Sequence, residues 1–476
     1  MVLKLMSLLV VLINFAECSL LSEINVTFPE PGVLQVYENK EATIHVTIES
    51  DRQQVVFIRF QAKDDTIAVL KGNTSTPVET WSTQGQKNLS LTVKGIFLGR
   101  TSILTTLYEN QSVFENDGES LELPTNSIIE VLREPNPLYT VFLIVLSVVI
   151  GINIFGFGLM LDLEVVKEIF KKPIAPIVGF ACQYIGMPLI AFAFTQILNL
   201  PDALALGLFV GGCCPGGGSS NIWSLLLDGD VNLSMCMTFI STTASIGMMP
   251  LWLFTLGMMF TSTVTIPYGN ILVAIVSLLI PGFIGILVKK YAPKVAGVLT
   301  KAVRPIAAIT VLVVIFLGIY NNLYVFVLFA KDWRYLVGGA LVPFTGFVLS
   351  CAASFGACLP WYRVKTIMCE TAIQNTGIAI VLLGFSLPQP DADLATVMAI
   401  AMSLVVPPPL VIILIIRTIY LRCCKKNQDK AKDSKENENE KKEQGDIKLE
   451  TNVEKKSDLD RTENGVISQV YEKETE

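Results

Sequence analysis

Histidine is almost missing from this 476-residue chain, occurring once as His45. No apolar segment further along therefore holds the base that serine chemistry needs, or the imidazoles of a zinc site. Cysteine is absent from residues 19–136, so that region has no disulfide to staple its fold. The ten cysteines are Cys18 and nine between Cys182 and Cys424, in or beside apolar segments and at no metal-binding spacing. Charge is scarce as well: Asp, Glu, Lys and Arg make up 16% of the chain, against 51% hydrophobic residues. Most of the charge sits in two flanking regions, and a net charge of −6 argues against nucleic acid as a partner. Such a composition belongs to a membrane protein.

The chain opens with a short basic start, an apolar run from Leu5 to Phe15 and small residues near Cys18. Residues 1–18 read as a signal peptide, which makes the N-terminus of the mature chain extracellular. Residues 19–136 carry short β-rich runs at 42–48, 55–60, 89–93, 97–108 and 127–132, separated by turn residues. They predict a small β-sandwich-like ectodomain. Asn25, Asn73, Asn88 and Asn110 each open an Asn-x-Ser/Thr sequon, so glycosylation is expected there. Residues 137–420 predict an all-α polytopic membrane domain of about nine transmembrane helices. Their centres fall near residues 149, 186, 215, 245, 278, 315, 347, 377 and 405. An odd number of crossings puts the C-terminus in the cytoplasm, and the placing of Lys and Arg in the connections agrees. Residues 421–476, rich in Lys, Glu, Asp and Asn, read as a disordered cytoplasmic tail.

The third run contains Cys214-Pro215-Gly216-Gly217-Gly218-Ser219-Ser220-Asn221, which a helix does not continue through comfortably. Freed backbone groups in hydrocarbon must be met by protein or by a water-filled cavity. On its own this stretch fits a packing kink as well as a binding site. The second through seventh runs hold no charged residue well inside, whereas the eighth holds Glu370, followed by Gln374 and Asn375. A membrane acid marks a pathway or site by default, and a cation beside it lets it stay ionised. Carboxylate, amide and hydroxyl oxygens suit a hard cation, and one carboxylate among neutral ligands suits a monovalent ion. The two breaks lie five runs apart, as inverted repeats require, with crossing broken helices at the bilayer midplane.

Four motifs in order carry a resemblance to the sodium/bile acid cotransporter family over most of Leu138 to Tyr420. They are Ala181 to Leu189, Cys214 to Asn221, Gly229 to Ser234 and on to Thr238, and Glu370 to Asn375. The resemblance implies two sodium sites where the broken helices cross. The first would use Ser220, Asn221, Ser234, Thr238 and Glu370. The second would use Gln183, Glu370 and Gln374, with carbonyls near Thr371 and Ile373. Asn375 matches a position near the family's substrate cavity. Ala372 stands where the bile acid carriers usually have Gly. The long ectodomain looks like that of the orphan members, which often lack the Ser-Asn pair that this chain keeps as Ser220-Asn221.

These features predict a multi-pass plasma-membrane symporter, coupling sodium to an amphipathic organic anion of the bile acid or sulfated steroid class. No cofactor is implied beyond the coupling ions, and the ectodomain's own partner is unspecified. The rival is a receptor or scaffold that keeps the fold and transports nothing. An intramembrane hydrolase is a poorer fit, since the runs offer neither a histidine nor an expected pair of buried aspartates.

Overall fold

The computed structural model describes residues 24–29, 32–50, 56–71, 75–78, 85–108, 111–115, 120–123, 127–161, 163–260 and 267–422. The expected signal peptide, two of the sequons (Asn73 and Asn110) and the tail beyond 422 lie outside these residues.

Among the described residues, ten strands lie before Pro137, with one short helix, Gln111–Glu115, between the eighth and ninth. β1 (Ile24–Thr27), β3 (Glu41–Ser50), β7 (Gly85–Gly95) and β5 (Ala68–Lys71) form one sheet in the order β1-β3-β7-β5. β2 (Val33–Tyr37), β10 (Ile128–Leu132), β8 (Gly99–Tyr108), β4 (Val56–Ala62) and β6 (Ser75–Val78) follow one another in the second. β9 (Leu121–Leu123) pairs with β8. Strand residues alternate between the two faces of a sheet, so every second apolar residue points inward. Ile44, Val46 and Ile48 of β3 thus meet Ile58 and Phe60 of β4 and Ile103 and Leu107 of β8 in one core. All five β-rich runs of the sequence fall on strands, whereas β1, β2, β5, β6 and β9 carried too few residues to stand out.

The rest is helical. Among the described residues, six helices are long and apolar enough to cross a membrane: Pro137–Met160, Ile174–Ile197, Val231–Phe254, Tyr268–Tyr291, Trp333–Gly356 and Asp391–Arg422. The expectation of about nine is met to that extent. The other three expected centres fall on a 29-residue helix, Pro293–Asn321, and on two interrupted pairs of shorter helices. Apart from the short helices Leu163–Phe170 and Leu323–Lys331, the helices from Pro137 on are, in chain order, α1 (Pro137–Met160), α2 (Ile174–Ile197), α3 (Asp202–Cys213), α4 (Ser219–Leu226) and α5 (Val231–Phe254). They continue as α6 (Tyr268–Tyr291), α7 (Pro293–Asn321), α8 (Trp333–Gly356), α9 (Trp361–Ala372), α10 (Thr376–Ser386) and α11 (Asp391–Val405). The chain divides into two compact units, Met1–Val406 and Pro407–Glu476, the second helical through residue 422.

Within the first unit, α1 packs on α6 and α7, while α11 packs on α3, α8 and α10. The α3–α11 contact is so close that a Cβ on Gly207 would stand 1.9 Å from the Ala395 carbonyl oxygen. Backbone cannot step aside as a flexible side chain can, and overpacking of this kind typically costs about 1–3 kcal/mol. Gly207→Val is therefore expected to lower the unfolding temperature of the purified protein, read by tryptophan fluorescence. An unchanged temperature would show that α3 and α11 do not pack at this distance.

Candidate functional site

The two interrupted pairs meet at their interruptions. α3 and α4 are separated by Cys214–Gly218, and α9 and α10 by Ile373–Asn375. Asn375 N donates to Pro215 O at 2.9 Å, and Gly217 N donates to Ile373 O at 2.7 Å. Gly216 and Gln374 thereby form an isolated antiparallel bridge. Each break supplies hydrogen bonds that the other has lost from its helix. The approach leaves no room for side chains: a Cβ on Gly216 would lie 2.5 Å from Glu370 Oε1, and one on Gly217 2.9 Å from Gln374 O.

A third element fixes the junction. Within α2 a π-helical turn spans Cys182–Gly186, closed by Met187 N donating to Cys182 O. Such turns frequently accompany functional sites. Pro188 has no N–H to give the carbonyl one helical turn back, and Tyr184 O instead accepts from Trp252 Nε1 at 2.7 Å. Gln183, carried by this turn, donates through Nε2 to Cys214 O at 2.7 Å and to Gln374 Oε1 at 2.8 Å. One amide thus holds both breaks.

Glu370, 1% exposed, ends α9 beside the junction. Its Oε2 accepts from Ser220 Oγ at 2.5 Å and Ser234 Oγ at 3.1 Å, and its Oε1 accepts from Thr238 Oγ1 at 2.5 Å. Ser234 and Thr238 lie four apart on α5 and so share a face. The start of that helix is set by Asp230, whose carboxylate accepts from Leu233 N at 3.0 Å and pairs with Arg363 at 3.4 Å. Lys365 Nζ donates to Leu227 O just beyond α4. Asn221 Nδ2 reaches Thr238 Oγ1 at 3.2 Å, while its Oδ1 is buried with no hydrogen-bond partner among the described residues. Of the five residues expected at the first ion site, Ser220, Ser234 and Thr238 thus bond Glu370 directly, and Asn221 joins them through Thr238.

The second expected set is also brought together. Gln183 and Glu370 line one cavity with Met237 and Ser241. Gln374 Nε2 donates to Thr371 O at 2.8 Å, and Ile373 O receives Gly217 N. Gln183 Oε1 is buried without a partner among the described residues. Asn375 caps α10, its Oδ1 accepting from Ile378 N at 3.4 Å, and is partly exposed. Ala372, the departure from the resemblance, is fully buried and fits its place.

Several residues that matter were not visible in the sequence. Ser224 donates to Ser234 at 3.2 Å, and Ser241 accepts from Gly216 N at 3.3 Å while donating to Thr238 O at 3.0 Å. Serines in membrane helices usually bond only their own turn, so nothing set these apart. The expectation of one buried acid and no buried aspartates is corrected by Asp391 and Asp393, both 1% exposed. They stand at the start of α11, where acids favour the helix dipole and are ordinarily wet. Arg100 and Arg133, from the β region and the link after it, cover them.

Paired helix breaks inside a bundle of apolar helices define a polytopic membrane protein. Its sequence relatives agree with that class. The model of the sodium bile acid symporter family matches residues 147–329. The human ileal sodium/bile acid cotransporter is 30% identical over 306 residues, covering 63% of this chain and 86% of that one. The bovine sodium-dependent organic anion transporter is 33% identical over 281 residues, 57% of this chain and 73% of that one. The mouse P3 protein is 33% identical over 249 residues, and the match spans about half its length, 52% of each chain. The chain belongs to the sodium bile acid symporter family.

The junction makes a direct prediction. Gly217→Ala places its methyl carbon against two backbone carbonyls of the opposite break. It is expected to destabilise the protein by about 1–3 kcal/mol, measured by thermal unfolding. A neutral result would mean that the breaks are not in contact.

Proposed function

We propose that this protein is a plasma-membrane symporter that couples sodium to an amphipathic organic anion, of the bile acid or sulfated steroid class. The observation that carries the reading is the buried carboxylate of Glu370, ringed by Ser220, Ser234 and Thr238 at 2.5–3.1 Å. A hydroxyl that donates to a carboxylate can instead turn a lone pair to a cation. The Asn221 amide oxygen, buried without a partner, adds a neutral ligand. This donor set is all oxygen with a single formal charge, as a sodium site needs. The second ion would sit by Gln183, Gln374 and the carbonyls of Thr371 and Ile373.

An apolar cavity adjoins the cage. It is bounded by Phe157 and Gly158 of α1, Thr238, Phe239 and Thr242 of α5, and Phe283 of α6. Thr238 belongs to both cage and cavity wall, so a bound cation would offer a positive partner to the anionic end of an apolar substrate. In this reading nine crossings form two inverted copies, and rocking of α1, α6 and α7 against the rest gives alternating access. The β domain would then be extracellular and the C-terminus cytoplasmic. Asn25 and Asn88 are exposed and register with Glu49 and Thr47 on one face of β3, which suits glycans there. Inward sodium movement supplies ~2.3 kcal/mol per charge per 100 mV.

A hydrolase reading has no support in the buried aspartates. Asp391 and Asp393 are two apart on a helix, point to different sides and pair with separate arginines.

The test is uptake of a labelled panel of organic anions by expressing cells, with sodium exchanged for choline. Uptake of at least one anion is expected to require sodium. Glu370→Gln is expected to cut that uptake about tenfold or more, the equivalent of ~1.4 kcal/mol. Sodium at roughly a hundred times its Kd should stabilise the purified protein by about 2.7 kcal/mol and leave Glu370→Gln unmoved. Sodium-dependent uptake that survives Glu370→Gln intact would refute the coupling. A complete lack of transport and of sodium stabilisation would favour a receptor that keeps the fold.

A further inference from the structure

The two buried aspartates of α11 have no part in the ion cage, yet each meets an arginine from outside the helical bundle. Arg100 on β8 gives Nη1 to Asp391 Oδ2 at 2.8 Å and Nε to Glu130 Oε1 of β10 at 2.9 Å. Glu130 Oε2 in turn accepts from Gln35 Nε2 of β2 at 3.0 Å. Neighbouring strands of one sheet thus brace a single guanidinium against the first turn of α11. Two residues further on, Asp393 Oδ2 lies 3.7 Å from Arg133 Nε, in the link between β10 and α1.

Arg133 is the more connected of the two. Its guanidinium stands over the rings of Tyr139 in α1, at 4.9 Å, and Tyr324 in the short helix Leu323–Lys331, at 4.7 Å. Its Nη1 donates to Asn321 O, the last residue of α7, at 3.2 Å. Tyr324 closes the ring by donating to Asp393 O at 3.0 Å. Nearby, Lys331 sits 3.7 Å above the ring of Phe97, from the turn between β7 and β8. Contacts from this one link therefore reach α1, α7 and α11. α1 packs chiefly on α6 and α7, and α11 on α3, α8 and α10, with α10 also touching α1 and α6 between them.

A nearly fully buried carboxylate without a counter-charge is strongly unfavourable. The burial of Asp391 consequently depends on the β domain staying seated. If the two helix groups move apart at this end, Arg133 must leave either Asp393 or its tyrosine and Asn321 contacts. We propose that the β domain is an intramolecular clamp: through Arg100–Asp391 and Arg133–Asp393 it holds the start of α11 against α1 and α7, and so brakes their relative movement. The clamp rests on these contacts alone, and its role as a brake rests on the symport reading.

The test uses the full-length protein in lipid nanodiscs, followed by hydrogen–deuterium exchange in sodium and in choline. The same variants are assayed for uptake in cells. Arg100→Gln and Asp391→Asn are each expected to raise exchange in the first turns of α11 and along β8 and β10. The double variant Arg100→Gln/Asp391→Asn is expected to exchange no faster than the faster single variant, because one shared contact is lost only once, which separates pairing from two independent defects. Sodium-dependent uptake should rise several-fold in Arg100→Gln and no further in the double variant. Unchanged exchange in both single variants, or additive exchange in the double variant, would overturn the clamp. Increased exchange with unchanged sodium-dependent uptake would overturn the brake. Exchange as expected, but no sodium dependence in any variant, would support the clamp while sinking the symport reading.

Discussion

A backbone that leaves its helix inside a membrane has no water to turn to, and the structure is organised around that constraint. Pro215 and the glycines after it release peptide groups between α3 and α4, and Ile373–Asn375 releases them between α9 and α10. The solution is reciprocal, since each break becomes the hydrogen-bond partner of the other through Pro215, Gly217, Ile373 and Asn375. Two further groups are taken by side chains from neighbouring helices, Cys214 O by Gln183 and Gly216 N by Ser241. The glycines serve the close approach itself, because a Cβ on Gly216 or Gly217 would meet the opposite segment at under 3 Å.

Once the breaks are paired, the chemistry follows from what stands beside them. Glu370 ends α9 just before the second break, and Ser220 begins α4 just after the first, so the junction brings a carboxylate and a hydroxyl together. α5, started by Asp230, lays Ser234 and Thr238 on the same carboxylate. The π-helical turn in α2 projects Gln183 into the gap between the breaks. The arrangement therefore joins three separate departures from regular helix at one place: two breaks and one widened turn. Uninterrupted helices would bring together fewer oxygen atoms at comparable depth.

Much of this was legible in the sequence because it rests on residues that contradict their surroundings. A Pro-Gly-Gly-Gly run between apolar flanks and a lone glutamate in an apolar run each require a reason. The two β-sheets were legible for the opposite cause, through strands long enough to alternate over many residues. What escaped was the chemistry that only tertiary contact creates. Asp391 and Asp393 begin a helix after Gln389-Pro390, a position that reads as a wet outer turn, and their burial is offset by the charges of Arg100 and Arg133. Arg100 lies nearly 300 residues away in the chain, and no local pattern relates it to Asp391. Ser224, Ser241 and Trp252 escaped because membrane hydroxyls and indoles usually serve their own helix or the interface.

The claim on which the functional reading stands is that an alkali ion sits within the oxygen cage at the junction of the breaks. Thallium(I), a heavy monovalent stand-in for sodium, scatters X-rays anomalously and can be located directly in crystals of the full-length protein. An anomalous peak between Glu370, Ser220, Ser234 and Thr238, competed away by sodium, is the expected result. Density at these residues that never contains an ion, with thallium bound only elsewhere, would contradict it.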